Sequence, residues 1–312
     1  MKILITGGAG YIGSVLCKYL LENNHKVTVI DNFTFSYNSL LTYMGNKNFE
    51  VQKLDVRNYT EVNRIIKNFD LIIPLAALVG APLCKLKEKE ATEVNLESIK
   101  NIVDNISQNQ AIIYPTTNSG YGIGEKDKYC TEETPLNPIS LYGQTKTNAE
   151  KYISEKHENS IRYRLATVFG CSPRMRLDLL VNDFVFKAVK DGYVVLFEAN
   201  FKRNYIHIRD ICEAIIFSIK NFDNLKNETY NLGLSTANLS KLELCRKIKE
   251  YIPRFEISVN EIGSDIDKRD YIISNEKIEK KGFTAKISLD EGIIELKKFY
   301  NYVIPDNTMR NI

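Results

Sequence analysis

The chain has 312 residues, and its 42 Lys and Arg against 39 Asp and Glu give a formal net charge of +3. Hydrophobic residues make up 44% and charged residues 26%, which excludes a disordered chain or a collagen. The length predicts two domains or one large one, and the small positive excess is spread out with no basic run that would point to nucleic acid or a membrane surface.

In chain order, residues 2–6 read as a strand, 12–23 as a helix, 26–31 and 49–54 as strands, and 59–68 as a helix. Residues 71–77 follow as a strand, 91–108 as a helix, 111–116 as a strand, 140–157 as a helix and 161–168 as a strand. The first, fourth and fifth strands are almost continuously apolar, as parallel strands covered on both faces are. This alternation predicts an α/β fold: a Rossmann-type doubly wound parallel sheet. Beyond residue 170 the alternation fades. Helical patterns recur at 179–190, 209–221, 240–251 and 288–300. Ser240 with Glu243 and Ser288 with Glu291 have capping-box spacing at the starts of the last two. Short strands are expected at 194–197 and 204–208. We expect a dinucleotide-binding domain over 1–170 and a smaller mixed α/β substrate domain over 171–312, with some later segments returning to the first.

The six cysteines, Cys17, Cys84, Cys130, Cys171, Cys212 and Cys245, form no C-x-x-C pair. They read as thiols in a reducing compartment, and neither they nor the three histidines have metal-ligand spacing. The longest apolar stretch, 71–83, contains two prolines and is too short to span a bilayer. The opening MKILITGGAG lacks the apolar core of a signal peptide. A cytoplasmic protein is expected.

The first strand runs into Gly7-Gly8-Ala9-Gly10-Tyr11-Ile12-Gly13. With a strand before and a helix after, these glycines are the dinucleotide fingerprint. Gly7 permits the tight turn, Gly10 lets backbone approach a pyrophosphate at the helix N-terminus, and Gly13 lets helix and strand pack closely. Tyr11 and Ile12 lie within the same cofactor-binding turn. Asp31 ends the second strand, 18 residues after Gly13, and is followed by Asn32. A carboxylate there accepts the two hydroxyls of an adenosine ribose and repels a 2′-phosphate. No Arg or Lys follows it through Ser36, so NAD is expected over NADP. Asp55 and Val56 close the third strand where adenine would lie, although Asp55 equally suits a helix N-cap. Ala76 and Ala77 offer small side chains where backbone passes the cofactor, which packing alone would also explain.

Tyr142 and Lys146 stand four residues apart on a predicted helix and share one face. An ammonium beside a phenol stabilises the phenolate and lowers its pKa. The tyrosine can then take a proton from a substrate hydroxyl while hydride leaves the same carbon. Alone, such a pair is an ordinary solvated helix face; beside the glycine fingerprint it gains meaning. Two arginines, Arg174 and Arg176, follow the sixth strand; they suit a phosphate or a sugar with many hydroxyls, or simply loop solubility.

These motifs together, T-G-G-A-G-Y-I-G, D-N, the hydroxyl-rich segment Thr116-Thr117-Asn118-Ser119 before Tyr121-Gly122, and Y-G-x-T-K, resemble the extended short-chain dehydrogenases/reductases that modify nucleotide sugars. The resemblance spans essentially the whole chain. It implies that Thr117 binds the reacting sugar oxygen and that Asn95 holds the active-site helix and a structural water. It implies that Arg203, Asn182 and Arg269 contact the substrate's diphosphate or ribose, to which an arginine fork is well suited. Arg269, with acids on both sides, is open to the reading of a salt bridge. It also implies a homodimer through the helices at 91–108 and 140–157. The 4,6-dehydratases of this group follow the catalytic threonine with acids. Here Asn118 and Ser119 occupy those substrate-side positions, so elimination of water would lack its general acid. No cysteine is clearly placed for 3,5-epimerisation. Simple C4 redox or 4-epimerisation remains.

The segments A-L-V-G-A-P-L-C-K, T-N-S-G-Y-G-I-G-E-K, R-L-A-T-V-F-G and R-N-Y-I-H most resemble the GDP-D-glycero-α-D-manno-heptose dehydrogenases of bacterial capsule pathways. This implies C4 oxidation of a nucleotide-diphosphate sugar, with a second small-molecule oxidant to recycle NADH. A UDP-glucose-type 4-epimerase is the alternative. A non-catalytic NAD-sensing or RNA-binding relative is a third reading, although such relatives commonly lose the Tyr/Lys pair.

Overall fold

A computed structural model describes residues 1–35, 38–260, 269–303 and 309–311. Ser36, named above, lies outside them, as does Asp267, one of the acids flanking Arg269.

The apolar runs pair side by side. Strands β1 (Lys2–Thr6), β2 (Lys26–Asp31), β3 (Phe49–Lys53), β4 (Leu71–Pro74) and β5 (Ala111–Thr117) join the strands Ser160–Leu165 and Glu228–Leu232 in one seven-stranded sheet. From one edge the order is Glu228–Leu232, Ser160–Leu165, β5, β4, β1, β2, β3, and every pairing is parallel. The expected doubly wound α/β fold is present. Successive residues of one strand enter different cores: Ile3 and Ile5 of β1 pack with Leu16 and Leu20 of helix α1 (Tyr11–Glu22), whereas Leu4 packs with Val62 and Ile66 of the helix Tyr59–Ile66. A strand buried on both faces requires this near-continuous apolarity. The chain moves outward from β1 to β3 and then returns to β4 on the other side. This reversal opens a crevice at the carboxyl ends of β1 and β4, where open α/β sheets bind ligands.

Three sequence expectations shift. The strand expected over 71–77 stops at Pro74, and residues 75–80 leave the sheet to pass over the crevice. The strand expected over 161–168 divides in two. Ser160–Leu165 stays in the main sheet, while Thr167–Phe169 joins Lys202–His207 and Asn238–Ser240 in a three-stranded sheet. The helix expected over 91–108 begins earlier, at Glu88, after a separate short helix Ala81–Leu86 that carries Pro82 in its first turn, where proline's missing N–H costs little. It then contains a π-helical turn, Glu93–Glu97, before Ser98–Asn105. Of the later segments, Glu228–Leu232 lies in the main sheet, and helix Ile208–Lys220 packs against α1. Both expected capping boxes, Ser240/Glu243 and Ser288/Glu291, form reciprocally. All six cysteines are free thiols. Among the described residues no helix is long and apolar enough to cross a membrane, and no cluster of His, Cys, Asp or Glu could hold a metal ion.

Candidate active site

The crevice widens into one cavity of about 770 Å³, toward the upper end of the roughly 300–1,000 Å³ usual for ligand pockets. Its floor is the glycine turn. Gly7 has φ +70°, and a Cβ there would lie 2.5 Å from the Ala76 nitrogen. The absence of a side chain on Gly7 therefore lets the backbone at 75–76 close against the turn, and Ala76, Ala77 and Val56 line the cavity. A Cβ at Gly13 would lie 2.5 Å from Gly8 Cα, so Gly13 is fixed by internal packing. Gly10 differs: a Cβ there would meet only the Gly7 carbonyl, at 3.1 Å. It is the N-cap of α1, with no side-chain cap and no acidic residue in the first turn. The first amides of α1 are thus available to an anion, as a diphosphate requires. Gly7, Gly10, Tyr11, Ile12 and Gly13 all line the cavity.

Asp31 reaches the same wall. Its Oδ2 accepts from the Ala9 amide (2.9 Å) and its Oδ1 from the Phe33 amide (2.8 Å). Burial raises its carboxyl above the ordinary value, and these amides oppose the shift. Asp55 also lines the cavity, but the N-cap of the next helix is Asn58, whose side chain accepts from Glu61 N. Asp55 instead receives the Arg57 fork (2.9 and 2.8 Å) and the Asn32 amide (3.2 Å), and the Arg57 hydrogen bonds hold its carboxyl near 2. Residues 31, 32 and 55 thereby form one preset polar edge. Together these features fit a dinucleotide: an open helix N-terminus for the diphosphate and a fixed carboxylate for a ribose.

Asn95 does not line the cavity. Within the π-helical turn its Oδ1 accepts from Leu78 N (2.8 Å) and its Nδ2 donates to Leu78 O (2.9 Å). It also approaches Thr145 Oγ1 (3.4 Å) on the helix Leu141–Lys156. Asn95 is therefore a clamp on the loop 75–80 and not a direct cofactor contact; the extra residue of the π turn swings its amide toward the loop.

Thr117 ends β5 and caps the following 3₁₀ turn, with its Oγ1 accepting from Ser119 N (3.1 Å). The turn separates its two neighbours. Ser119 lines the cavity, where its Oγ accepts from Thr117 Oγ1 (2.8 Å) and from Arg269 Nη1. Asn118 is absent from the cavity wall; its side chain is buried with neither amide atom hydrogen-bonded. The expected substrate contact through Asn118 is thus corrected: the cap on Ser119 N turns residue 118 inward.

Ser140 caps the helix Leu141–Lys156 through Gly143 N (3.2 Å), and this presents Tyr142 and Lys146 to the cavity. Thr117 also stands on this wall, where its hydroxyl favours the Tyr142 phenolate. The expected lowering of the Tyr142 pKa does not occur in the chain by itself. Burial raises the phenol, and the charges opposing that rise most strongly are Arg176 and Arg269. Lys146 lies elsewhere on the wall, with its ammonium 4.1 Å from the Tyr114 ring centroid, within cation–π range. Burial holds it down to about 7, and Glu150, one turn further on, acts in the opposite direction. Glu150 is itself engaged by Arg164 through two hydrogen bonds (2.9 and 2.7 Å).

The arginines separate into two groups. Arg203, Arg269 and Arg176 line the cavity, with Arg176 forked onto Asp178. Arg269 contacts Ser119, while its neighbour Asp270 accepts from Lys202 N (2.7 Å). Arg174 lies against Phe35, and both line the cavity with Asp31. Asn182, expected at the phosphates, is fully buried and off the cavity wall. Its Oδ1 accepts from Gly170 N (3.1 Å), and its Nδ2 donates to Arg176 O (2.9 Å) and approaches Tyr11 OH (3.3 Å). It binds the substrate loop to the glycine turn. Sequence reasoning missed Phe35, Tyr114, Glu150, Asp178 and Asn311. Glu150 was detectable, because Y-x-x-x-K-x-x-x-E continues one helical face; Asn311 has no local signal.

A parallel doubly wound sheet with this turn, this acid and this Tyr–Lys pair defines a dinucleotide-dependent enzyme class. The chain belongs to the NAD dependent epimerase/dehydratase family, whose profile matches residues 3–233, and its cofactor is NAD. It is 26% identical to CDP-paratose 2-epimerase of Salmonella typhi, over 97% of this chain and 99% of that protein. It is 28% identical to UDP-glucuronic acid decarboxylase 1 of Arabidopsis thaliana, over 94% of this chain and 68% of that one. Its fold matches UDP-glucuronic acid 4-epimerase from Bacillus cereus, crystallised with UDP-glucuronic acid and NAD, with a TM-score of 0.83. That structure is 24% identical, and the match covers 96% of this chain and 99% of that chain.

Proposed function

We propose that the chain oxidises C4 of a nucleotide-activated sugar, GDP-D-glycero-α-D-manno-heptose, to the 4-keto sugar. The observation that carries this reading is the meeting of Thr117, Tyr142 and Lys146 in the wall of a single cavity that also holds the glycine turn and Arg203. Bound NAD supplies the hydride acceptor. Every other part belongs to the chain. Tyr142, as phenolate, takes the C4 hydroxyl proton, and the C4 hydrogen leaves with its electron pair, so the sugar loses two hydrogens. Thr117 orients that hydroxyl. Ser119, receiving Arg269 and Thr117 together, fixes Thr117. Arg176 and Arg269 favour the phenolate, and Arg203 and Arg269 are the arginines assigned to the diphosphate.

The turn at 118–119 supports oxidation without elimination. An acid is needed to protonate a departing hydroxyl, and the cavity receives the hydroxyl of Ser119 while the Asn118 amide turns inward. Net oxidation leaves NADH on the enzyme, so continued turnover calls for a second small-molecule oxidant. The second reading is 4-epimerisation, which returns hydride to the opposite face and needs no oxidant; a relative named as a putative UDP-glucose 4-epimerase favours it. The substrate assignment is tested by thermal shift with GDP, UDP, CDP and dTDP, since a ligand that binds only the folded state raises its stability. GDP should give the largest rise. A larger rise with another nucleotide would remove the heptose substrate and leave the C4 chemistry standing. We further infer a homodimer through helices Ser98–Asn105 and Leu141–Lys156.

A further inference from the structure

Arg174 and Arg176 are two residues apart, yet their side chains have different partners. Arg176 is held by Asp178 and acts on Tyr142. The Arg174 guanidinium instead stands 4.8 Å from the Phe35 ring centroid. Phe35 lies four residues beyond Asp31, and both line the cavity. Asp31 in turn is fastened to the glycine turn through Ala9 N. Arg174 therefore belongs to the adenosine end. It is only 3% exposed. Its Nη1 donates to Met175 O (3.1 Å), and its Nη2 donates to Asn311 Oδ1 (2.7 Å) and Arg310 O (3.4 Å). Met309 O accepts from Leu177 N (2.8 Å), which brings the tail residues Met309–Asn311 onto the same wall. The Arg174 Nε is buried and has no hydrogen-bond partner. A buried guanidinium N–H without an acceptor is costly, so Arg174 is incompletely satisfied by the chain alone.

We propose that Arg174 is a cofactor-specificity residue: with Phe35 it closes the adenosine end of the cleft, on the ribose side that Asp31 addresses, and does not contact the sugar nucleotide. The inference rests on the reading of this cleft as the NAD site. Asp31 and Arg174 present opposite charges to the same region. The carboxylate accepts ribose hydroxyls and repels a 2′-phosphate, whereas the guanidinium attracts one. The preference for NAD is then a difference between two opposed terms, and removing the carboxylate leaves a cation already in place. NADP recognition is latent in Arg174, supplied from a segment more than a hundred residues away from the strand whose end usually decides it.

The test is equilibrium binding of NADH and NADPH by fluorescence titration, independent of turnover. Wild type should bind NADH and exclude NADPH; failure to bind NADH would refute the cofactor site itself and is distinguishable from failure of this inference. Asp31→Asn should gain NADPH affinity by about tenfold or more, the scale of one hydrogen bond to a charged group. Asp31→Asn/Arg174→Met should lose that gain, and Asp31→Asn/Arg174→Lys should keep most of it. A gain cannot arise from misfolding, and the lysine variant controls for damage by the methionine. An Asp31→Asn enzyme that gains no NADPH affinity, or gains it equally without Arg174, would overturn the proposal. So would an Arg174→Met variant with unchanged NADH affinity and weakened GDP binding.

Discussion

Tyr142 stands under opposed influences: burial raises its pKa, while Arg176, Arg269 and the Thr117 hydroxyl favour the phenolate. Removing its hydroxyl tests the proton acceptor alone. Tyr142→Phe should lower turnover about 10²- to 10⁴-fold, the range of a general base, with NADH affinity by fluorescence unchanged; near-wild-type turnover would eliminate it as the base. Lys146 gives a second prediction, on stability. Its ammonium is held near 7 in the folded chain against about 10.4 when unfolded. Between those values the unfolded chain binds more protons, so this group's contribution to stability improves as pH rises from 7 toward 10. Below 7 its burial penalty is fully present. Lys146→Met should therefore be more stable than wild type by a margin that is largest below pH 7 and shrinks toward pH 10, measured as urea midpoints of the cofactor-free protein. A margin independent of pH would contradict the depressed lysine. The Tyr–Lys spacing was legible in the sequence because i and i+4 share a helix face. The lysine's environment was not, because Tyr114 arrives from β5 and no local pattern links them.

At the scale of elements, the strand–turn–helix at 2–22 was the most legible part, since apolar run, glycines and helix follow within a few residues. The structure adds a division of labour among the glycines that the motif alone does not give. Gly13→Ala would drive a Cβ into Gly8 backbone, so it should destabilise the fold by about 1–3 kcal/mol or more, as overpacking does. Gly10→Ala meets only one atom. It should fold nearly normally and lose most of its NADH affinity, because the added methyl stands where the diphosphate approaches. Calorimetric melting beside fluorescence titration separates the two, and equal loss of stability in both variants would contradict this division. Asn95 and Asn182 show where sequence reading fell short. Both positions were identified, yet each side chain acts one step back, Asn95 on the Leu78 backbone and Asn182 between Gly170, Arg176 and Tyr11. Whether a polar side chain reaches the cavity or the loop beside it depends on a π turn or a buried loop packing, and periodicity carries neither. The split of the strand expected over 161–168 has the same origin, since apolar pattern does not say which sheet a residue joins.

At the scale of the molecule, one cavity joins segments from most of the chain, from Gly7 to Asn311. The sheet brings the glycine turn, the end of β4 and the end of β5 to one edge, and later segments lay Arg176, Arg203 and Arg269 over it. Helices Ser98–Asn105 and Leu141–Lys156 pack on one another, and we predict a dimer mass by analytical ultracentrifugation; a monomer at micromolar concentration would exclude the four-helix interface. Four of the chain's cations, Arg174, Arg176, Arg203 and Arg269, stand in the wall of this one cavity. The C4 oxidation itself is decided most directly by incubating the enzyme and stoichiometric NAD with GDP-D-glycero-α-D-manno-heptose and reading the sugar nucleotide by mass spectrometry. The account predicts loss of two hydrogens with an equivalent formation of NADH. A new isomer of unchanged mass, with no net NADH, would contradict it and establish epimerisation instead.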